Sequence, residues 1–214
     1  MGVSGFLISC AMRRATSAHA DFFCAETIVR HVGDIGRMVD EFSSFARMPQ
    51  PVMRPESLER LAREAMVLQR VAKRDIEWSV EIDAPLRALC DRRLIGQALT
   101  NLLQNAADAV EMRAGARHVS LRLHKDGGMA RLSVTDDGVG LPDTGRDRLT
   151  EPYVTHKTKG TGLGLAIVAK IMEDHGGRLD LKTAPGGTGA EVSLILPVLP
   201  EDAMMEEAKE LPAR

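Results

Sequence analysis

Two hairpin turns constrain this chain more than any other feature. Residues 119–124 and 130–135 read as strands joined by Lys125-Asp126-Gly127-Gly128, and residues 178–183 and 191–196 read as a second pair turning at Pro185-Gly186-Gly187. Glycines at such points supply the backbone freedom that a tight antiparallel connection needs. A helix over residues 163–175 separates the two hairpins, and a longer helix opened by Asp91 and running to about Met112 precedes them. Ser57 is placed to cap a further helix to about Ala72, with Leu58, Leu61, Ala65 and Leu68 on one face. Ile76, Trp78, Val80 and Ile82 alternate with polar residues as a half-buried strand. Helices alternating with hairpins predict a two-layer α/β sandwich rather than a doubly wound parallel sheet.

Upstream the pattern changes. Residues 1–21 have no periodicity that assigns them a structure, whereas over residues 26–48 Ile28, Ile35 and Phe42 recur every seven positions, each followed after four by Val32, Val39 and Ala46. That spacing is a coiled-coil seam. It describes either a helix packed on its own domain or one that dimerises through its seam. Pro49, Pro51 and Pro55 end the helix and form a stiff linker over residues 51–56, while residues 199–214 are an acidic tail.

Composition narrows the partners. Lys and Arg number 28 against 30 Asp and Glu, a formal charge of −2, so no global basic field exists to hold nucleic acid. Aromatics are 3%, with Trp78 and Tyr153 each alone of its kind, which excludes stacking platforms and makes the core aliphatic. Cys10, Cys24 and Cys90 are odd in number, far apart and without a C-x-x-C pair, so a reducing cytoplasm is expected rather than a disulfide or zinc framework. The apolar run at residues 5–12 is too short to span a membrane.

Four features follow one another in an order that carries chemistry. Asn101 and Asn105 lie one helical turn apart on one face. A carboxamide oxygen is a hard neutral ligand for Mg²⁺, and the amide hydrogens suit phosphate oxygens. Asp136-Asp137-Gly138-Val139-Gly140 ends a strand, where a carboxylate can accept from an exocyclic amino group and the glycines let backbone approach a flat base. The run from Glu151 to Lys159 includes Thr155, Lys157 and Lys159, a polar loop able to close on phosphate. Gly160-Thr161-Gly162-Leu163-Gly164 precedes an apolar helix, whose N-terminus favours an anion. Taken singly, each also reads blandly: solvent-facing asparagines, a strand-ending turn, a featureless loop, a weak glycine motif. Neither a P-loop nor the dinucleotide fingerprint is present.

In this order the four features resemble the nucleotide motifs of the GHKL ATP-binding fold. The resemblance implies Asn105 as Mg²⁺ ligand, Asp136 as reader of adenine, and Gly160, Gly162 and Gly164 as phosphate glycines. Asn101 stands where hydrolysing members carry a glutamate base, which places the chain with the histidine kinases. Residues 34–49, together with Thr150-Glu151-Pro152-Tyr153, are similar to NtrY-type nitrogen-regulation sensor kinases. The resemblance implies ATP and Mg²⁺ as ligands, residues 57–198 as the ATP-binding domain and residues 22–50 as part of a dimerisation helix. It also implies a homodimer through residues 26–48, and a response regulator or a full-length histidine kinase as partner. The candidate catalytic groups are Asn101 and Lys157. Gly138, Gly140, Thr155, Lys159, Thr161 and Leu163 join the glycines as candidate binding residues.

The chain departs from that pattern in two places. Such kinases carry a His-Glu box with a downstream proline before the seam helix, but His19 is followed by Ala-Asp and His31 by Val-Gly. His118, His124, His156 and His175 fall inside the nucleotide domain. Residue 108, where many relatives place a phosphate-contacting lysine, is Asp108, which shifts that charge to Lys157 or Lys159. The expected reaction is phosphoryl transfer to a histidine supplied in trans. The alternatives are a non-catalytic ATP-binding module and a free protein kinase acting on serine.

Overall fold

The computed structural model describes residues 32, 33, 36, 50–142, 144–155 and 161–200. The chain divides into two compact units, Met1–Met48 and Pro49–Arg214. In the first, Val32, Gly33 and Gly36 are helical; the other seam positions, and His19 and His31, lie outside the described residues.

The second unit has the elements β1 (Arg54–Ser57), α1 (Leu58–Ala72), β2 (Glu77–Ile82), β3 (Arg87–Cys90), α2 (Arg92–Glu111), β4 (His118–Asp126), β5 (Met129–Asp136), α3 (Gly164–Asp174), β6 (Arg178–Thr183) and β7 (Ala190–Pro197). Five strands form one sheet in the order β2-β4-β5-β7-β6, with β2 and β4 parallel and every other pair antiparallel. The β4–β5 hairpin closes at Gly127-Gly128 between the paired Asp126 and Met129, with Gly127 at φ +61°. Leu121, Leu123, Leu132, Val134 and Leu194 alternate onto one face and are buried with the apolar stripes of α1, α2 and α3. The result is a two-layer α/β sandwich with an aliphatic core.

Two local expectations are corrected. On α1 the buried stripe is Leu58, Leu61, Ala62, Ala65, Met66 and Gln69, and Leu68 is 66% exposed. Ten residues of helix turn the direction about 80° away from that of Leu58, whereas eleven return within about 20°, so Gln69 takes the inward place. The second half of the proline-rich stretch is also a strand: Arg54–Ser57 pairs antiparallel with Arg87–Cys90, Pro55 opposite Leu89. Proline suits the extended backbone, and on a two-stranded edge its missing N–H costs little. Ser57 ends that strand and caps α1, its hydroxyl accepting from Arg60 N at 3.3 Å.

Asp91 holds several of these pieces at once. Its Oδ1 accepts from Arg93 N (2.9 Å) and Leu94 N (3.2 Å), capping α2, and its Oδ2 accepts from Val52 N (2.9 Å). Burial raises the carboxyl's proton affinity, but the N–H groups of Val52, Leu94 and Arg93, with the Arg93 charge, outweigh it and hold the pKa below 3.8. Next to it, burial, reinforced by Glu56 and Asp91, pushes the Cys90 thiol up to about 12, so it stays protonated and inert.

A pH dependence follows from Asp91. Above its unfolded pKa the carboxylate is ionised in both states and its bonds stabilise the fold in full; the contribution is lost as pH falls through the lower folded value. Urea titrations at about pH 5 and about pH 3 should therefore show a smaller loss on acidification for Asp91→Asn than for the unmodified chain. Equal losses would remove Asp91 from the acid response.

Candidate functional site

One stripe of α2 organises the candidate residues. Asn101, Asn105 and Ala109 succeed one another at four-residue intervals, each about 6 Å further along the helix. The first two face the start of α3: Asn101 Nδ2 donates to Gly164 O at 3.5 Å, and a Cβ placed on Gly164 would lie 3.8 Å from Asn105 Nδ2. The third meets the turn after β5. Val139 N donates to Ala109 O at 3.2 Å, and a Cβ on Gly138 would sit 2.5 Å from Ala109 O and 2.6 Å from Val110 N. Only glycine lets that turn rest on the helix backbone.

Asp136 ends β5 and is buried, with 6% of its surface exposed. Its Oδ1 accepts from Gly138 N at 2.9 Å and from Ala190 N at 3.3 Å, so the carboxylate is held by the turn that follows it and by the start of β7. Asp137 turns elsewhere: its carboxylate accepts from His118 N (2.9 Å) and Arg117 N (3.1 Å), and Arg113 donates to its carbonyl. The paired acids are thus sorted into one inward group and one that fastens the start of β4.

The glycine turn before α3 is wedged against the preceding loop. Gly162 has φ +72°, and a Cβ there would lie 2.6 Å from the Tyr153 carbonyl carbon; Tyr153 N donates to Gly162 O at 3.1 Å. Tyr153 itself has φ +67°, and it is the one non-glycine residue with positive φ among those described. Leu163 is fully buried at the head of α3, and its N–H is accepted by Thr161 Oγ1 at 3.3 Å. Thr155 is exposed, while Lys157, Lys159 and Gly160 lie outside the described residues. On α2, Asp108 accepts from Gln104 Nε2 at 2.9 Å.

Sequence reading missed Gly189. It has φ +87°, and a Cβ there would overlap the Asp136 carbonyl oxygen and lie 2.7 Å from its carbon; its own carbonyl oxygen is 3.1 Å from the position of a Cβ on Gly140. The β6–β7 loop therefore packs backbone to backbone on the Asp136 turn. The run Gly186-Gly187-Thr188-Gly189 announces a loop, but its contact is some fifty residues away in sequence. An open groove of about 460 Å³ lies on a different face of α2, lined by Val52, Arg54, Leu61, Ala65, Leu68 and Arg92 among others, and none of the candidate residues lines it.

The chain and its fold have known counterparts. The family of histidine kinase-, DNA gyrase B-, and HSP90-like ATPases matches residues 90–200. The chain belongs to that family. Within it the chain is 48% identical over 177 residues to the nitrogen regulation protein NtrY of Azorhizobium caulinodans, an alignment covering 81% of this chain and 23% of that protein. The chain thus spans about a quarter of the length of the curated relatives it matches. Among solved structures, a mycobacterial sensor histidine kinase, MprB, superposes with a TM-score of 0.62 at 31% identity, covering 70% of this chain and 99% of that one. Full-length ShkA in complex with AMPPNP superposes at 0.66 and 31% identity, covering 80% of this chain and 38% of that one. These likenesses identify an NtrY-like sensor histidine kinase ATP-binding domain. Among the described residues no helix is long and apolar enough to cross a membrane.

The close approach at Gly189 is testable. Gly189→Ala adds a side chain at positive φ against backbone and should cost at least about 2 kcal/mol in urea unfolding. Gly186→Ala, which meets open space, should stay within about 0.5 kcal/mol. Equal effects would mean that the β6–β7 loop does not rest on Asp136.

Proposed function

We propose that this chain binds Mg·ATP and transfers the γ-phosphoryl group to a histidine presented by another chain, as the catalytic part of a two-component sensor kinase in the cytoplasm. One observation carries the reading: a single stripe of α2 touches both the glycine turn of α3, through Asn101 and Asn105, and the turn that holds Asp136, through Ala109. Its two ends suit the two ends of a nucleotide.

The Asp136 carboxylate accepts the 6-amino group of adenine, and the side-chain-free turn of Gly138 and Gly140 lies against the base. Gly162, Leu163 and Gly164 turn backbone N–H groups and the start of α3 toward the phosphates. The donor set suits Mg²⁺, since the carboxamide of Asn105 beside Gly164 offers a neutral oxygen and the glycines leave room for phosphate oxygens. Mg²⁺ bound there would neutralise charge on the phosphate oxygens. Thr155, Lys157, Lys159, Gly160 and Thr161 would bind the phosphates, with Lys157 supplying charge to the γ-phosphoryl group. In the transfer the bond from the γ-phosphorus to the ADP oxygen breaks, a bond to the imidazole nitrogen forms, and the imidazole proton is taken by a carboxylate beside the acceptor. Asn101 cannot act as a base toward water, so hydrolysis is not promoted and the γ-phosphoryl group waits for its acceptor.

Pairing through residues 26–48 would bring two such chains, or this chain and a full-length kinase, together, and a response regulator would take the phosphoryl group onward. A second reading, an ATP-binding module that pairs with a kinase or regulator without transfer, is favoured by the departure at His19 and His31 from the phosphoacceptor pattern.

Isothermal titration should show Mg·ATP binding that weakens about tenfold or more in Asn105→Ala and in Asp136→Asn. The asparagine at position 136 keeps an oxygen for Gly138 N but turns an amide against the adenine amino group. GTP should bind more weakly than ATP; unchanged affinity in both variants removes the site assignment.

With radiolabelled ATP the purified chain alone should gain no acid-labile, base-stable phosphate, while an inactive relative carrying an intact His box should gain it when mixed with this chain. Failure to label the relative favours the non-catalytic module. Self-labelling lost in His31→Ala or His19→Ala would instead restore the autokinase.

A further inference from the structure

His175 is absorbed by none of the roles above, yet it is 4% exposed and both its ring nitrogens are engaged. Nδ1 lies 2.7 Å from Ile171 O, which can only accept, so Nδ1 carries the proton. Nε2 is then an acceptor, and it takes the backbone N–H of Asp91 at 2.9 Å. The partners fix one tautomer. Asp91 in turn accepts from Val52 N through Oδ2 and caps α2 through Oδ1. A single imidazole therefore joins the C-terminal end of α3, the N-terminal end of α2 and, through one carboxylate, the segment that leads into the unit at Val52.

The two helices joined there run antiparallel along the candidate site. Asp91 meets His175 at one end, and Asn101 meets Gly164 at the other, ten and eleven residues away. At 1.5 Å per residue the two contacts are about 15 Å apart. The distal one is short and buried. The proximal one, at 3.5 Å, stands at the limit of hydrogen bonding, so a small displacement of α3 relative to α2 is enough to break it.

We propose that His175 is a positioning residue that couples Val52 to the nucleotide site: through Asp91 it sets the offset of α3 against α2, and nucleotide bound between Asn105 and the glycine turn in turn tightens the Val52 tie. This rests on the Mg·ATP reading and adds to it the route by which the leading segment regulates the site. Coupling of this kind is reciprocal, and it demands a measured linkage, since spatial continuity alone does not establish one.

The test follows amide hydrogen exchange at Val52 in the full chain with and without Mg·AMPPNP, with binding measured in the same samples. In the unmodified chain the nucleotide should slow exchange about fivefold or more. His175→Gln places a carboxamide oxygen where Nε2 was and should keep the slowing. His175→Asn can still donate to Ile171 O but leaves Asp91 N–H without its acceptor, and should lose the slowing while still binding. A merely structural histidine would lower stability in both variants and leave the nucleotide-dependent difference intact, which would overturn the proposal. Should either variant fail to fold, Val52→Pro decides against Val52→Ala: both remove the exposed valine side chain, but only proline removes the N–H that Asp91 Oδ2 accepts. Val52→Pro should weaken Mg·AMPPNP by the same factor and Val52→Ala should not, and unchanged affinity in Val52→Pro overturns the coupling. Absence of binding to the unmodified chain overturns the nucleotide reading and the coupling with it, whereas binding with unaltered exchange at Val52 overturns the coupling alone.

Discussion

The backbone contact between Gly138 and Ala109 sets the spacing that the rest of the second unit keeps. With no Cβ between them, the end of β5 rests directly on the carbonyl of α2, and Val139 N closes the junction onto Ala109 O. The depth of that contact fixes where Asp136 sits, and Gly189 then fits against the Asp136 carbonyl from the other side. Helix, strand end and hairpin loop are stacked backbone on backbone, with the Asp136 carboxylate bonding across the junction. A side chain at either glycine would push the layers apart by more than a packed interior tolerates, and Asp136 would lose its donors from Gly138 and Ala190.

Much of the fold was legible because its signals are local. The Gly127-Gly128 turn, the caps Ser57 and Asp91, and the alternation over β4 and β5 each announce themselves within a few residues. What was not legible depends on partners distant in sequence. The β1–β3 pair joins residues more than thirty apart and one of its strands contains a proline, so neither composition nor period points to it. Leu68 misleads because an i, i+3, i+7, i+10 reading drifts around the helix. For the candidate site, the asparagine pair, Asp136 and the glycine turn are visible as motifs, but their convergence on one stripe of α2 is a property of packing. Gly189 shows only as part of a loop and His175 only as the end of a helix; each matters through a backbone atom of a residue about fifty or more positions away.

Charge on this unit divides by what it pairs with. Arg60 with Glu64, Arg122 with Asp83, and Lys170 with Asp174 are exposed pairs on solvated faces, which hold little of the fold. Asp91 and Asp137 act differently, since each carboxylate takes backbone N–H groups, Asp91 from Val52 and the start of α2 and Asp137 from the start of β4. Removing the Asp91 carboxylate leaves the buried Leu94 N–H without this acceptor, at about 1–3 kcal/mol.

Tyr153 shows how the same economy extends to the loop before α3. A tyrosine at φ +67° bears strain of about 1–3 kcal/mol, which glycine at that position would avoid. The strain is offset by the bond from Tyr153 N to Gly162 O and by the absence of a Cβ on Gly162, whose own φ of +72° brings the two strands of chain within touching distance. Two left-handed residues face each other, one with a side chain and one without. That pairing fixes the loop against the start of α3 while Tyr153 as a whole stays 59% exposed. Since Gly164 lies two residues beyond Gly162 and beside Asn105, the position of the loop and the position of the asparagine stripe are set by the same turn.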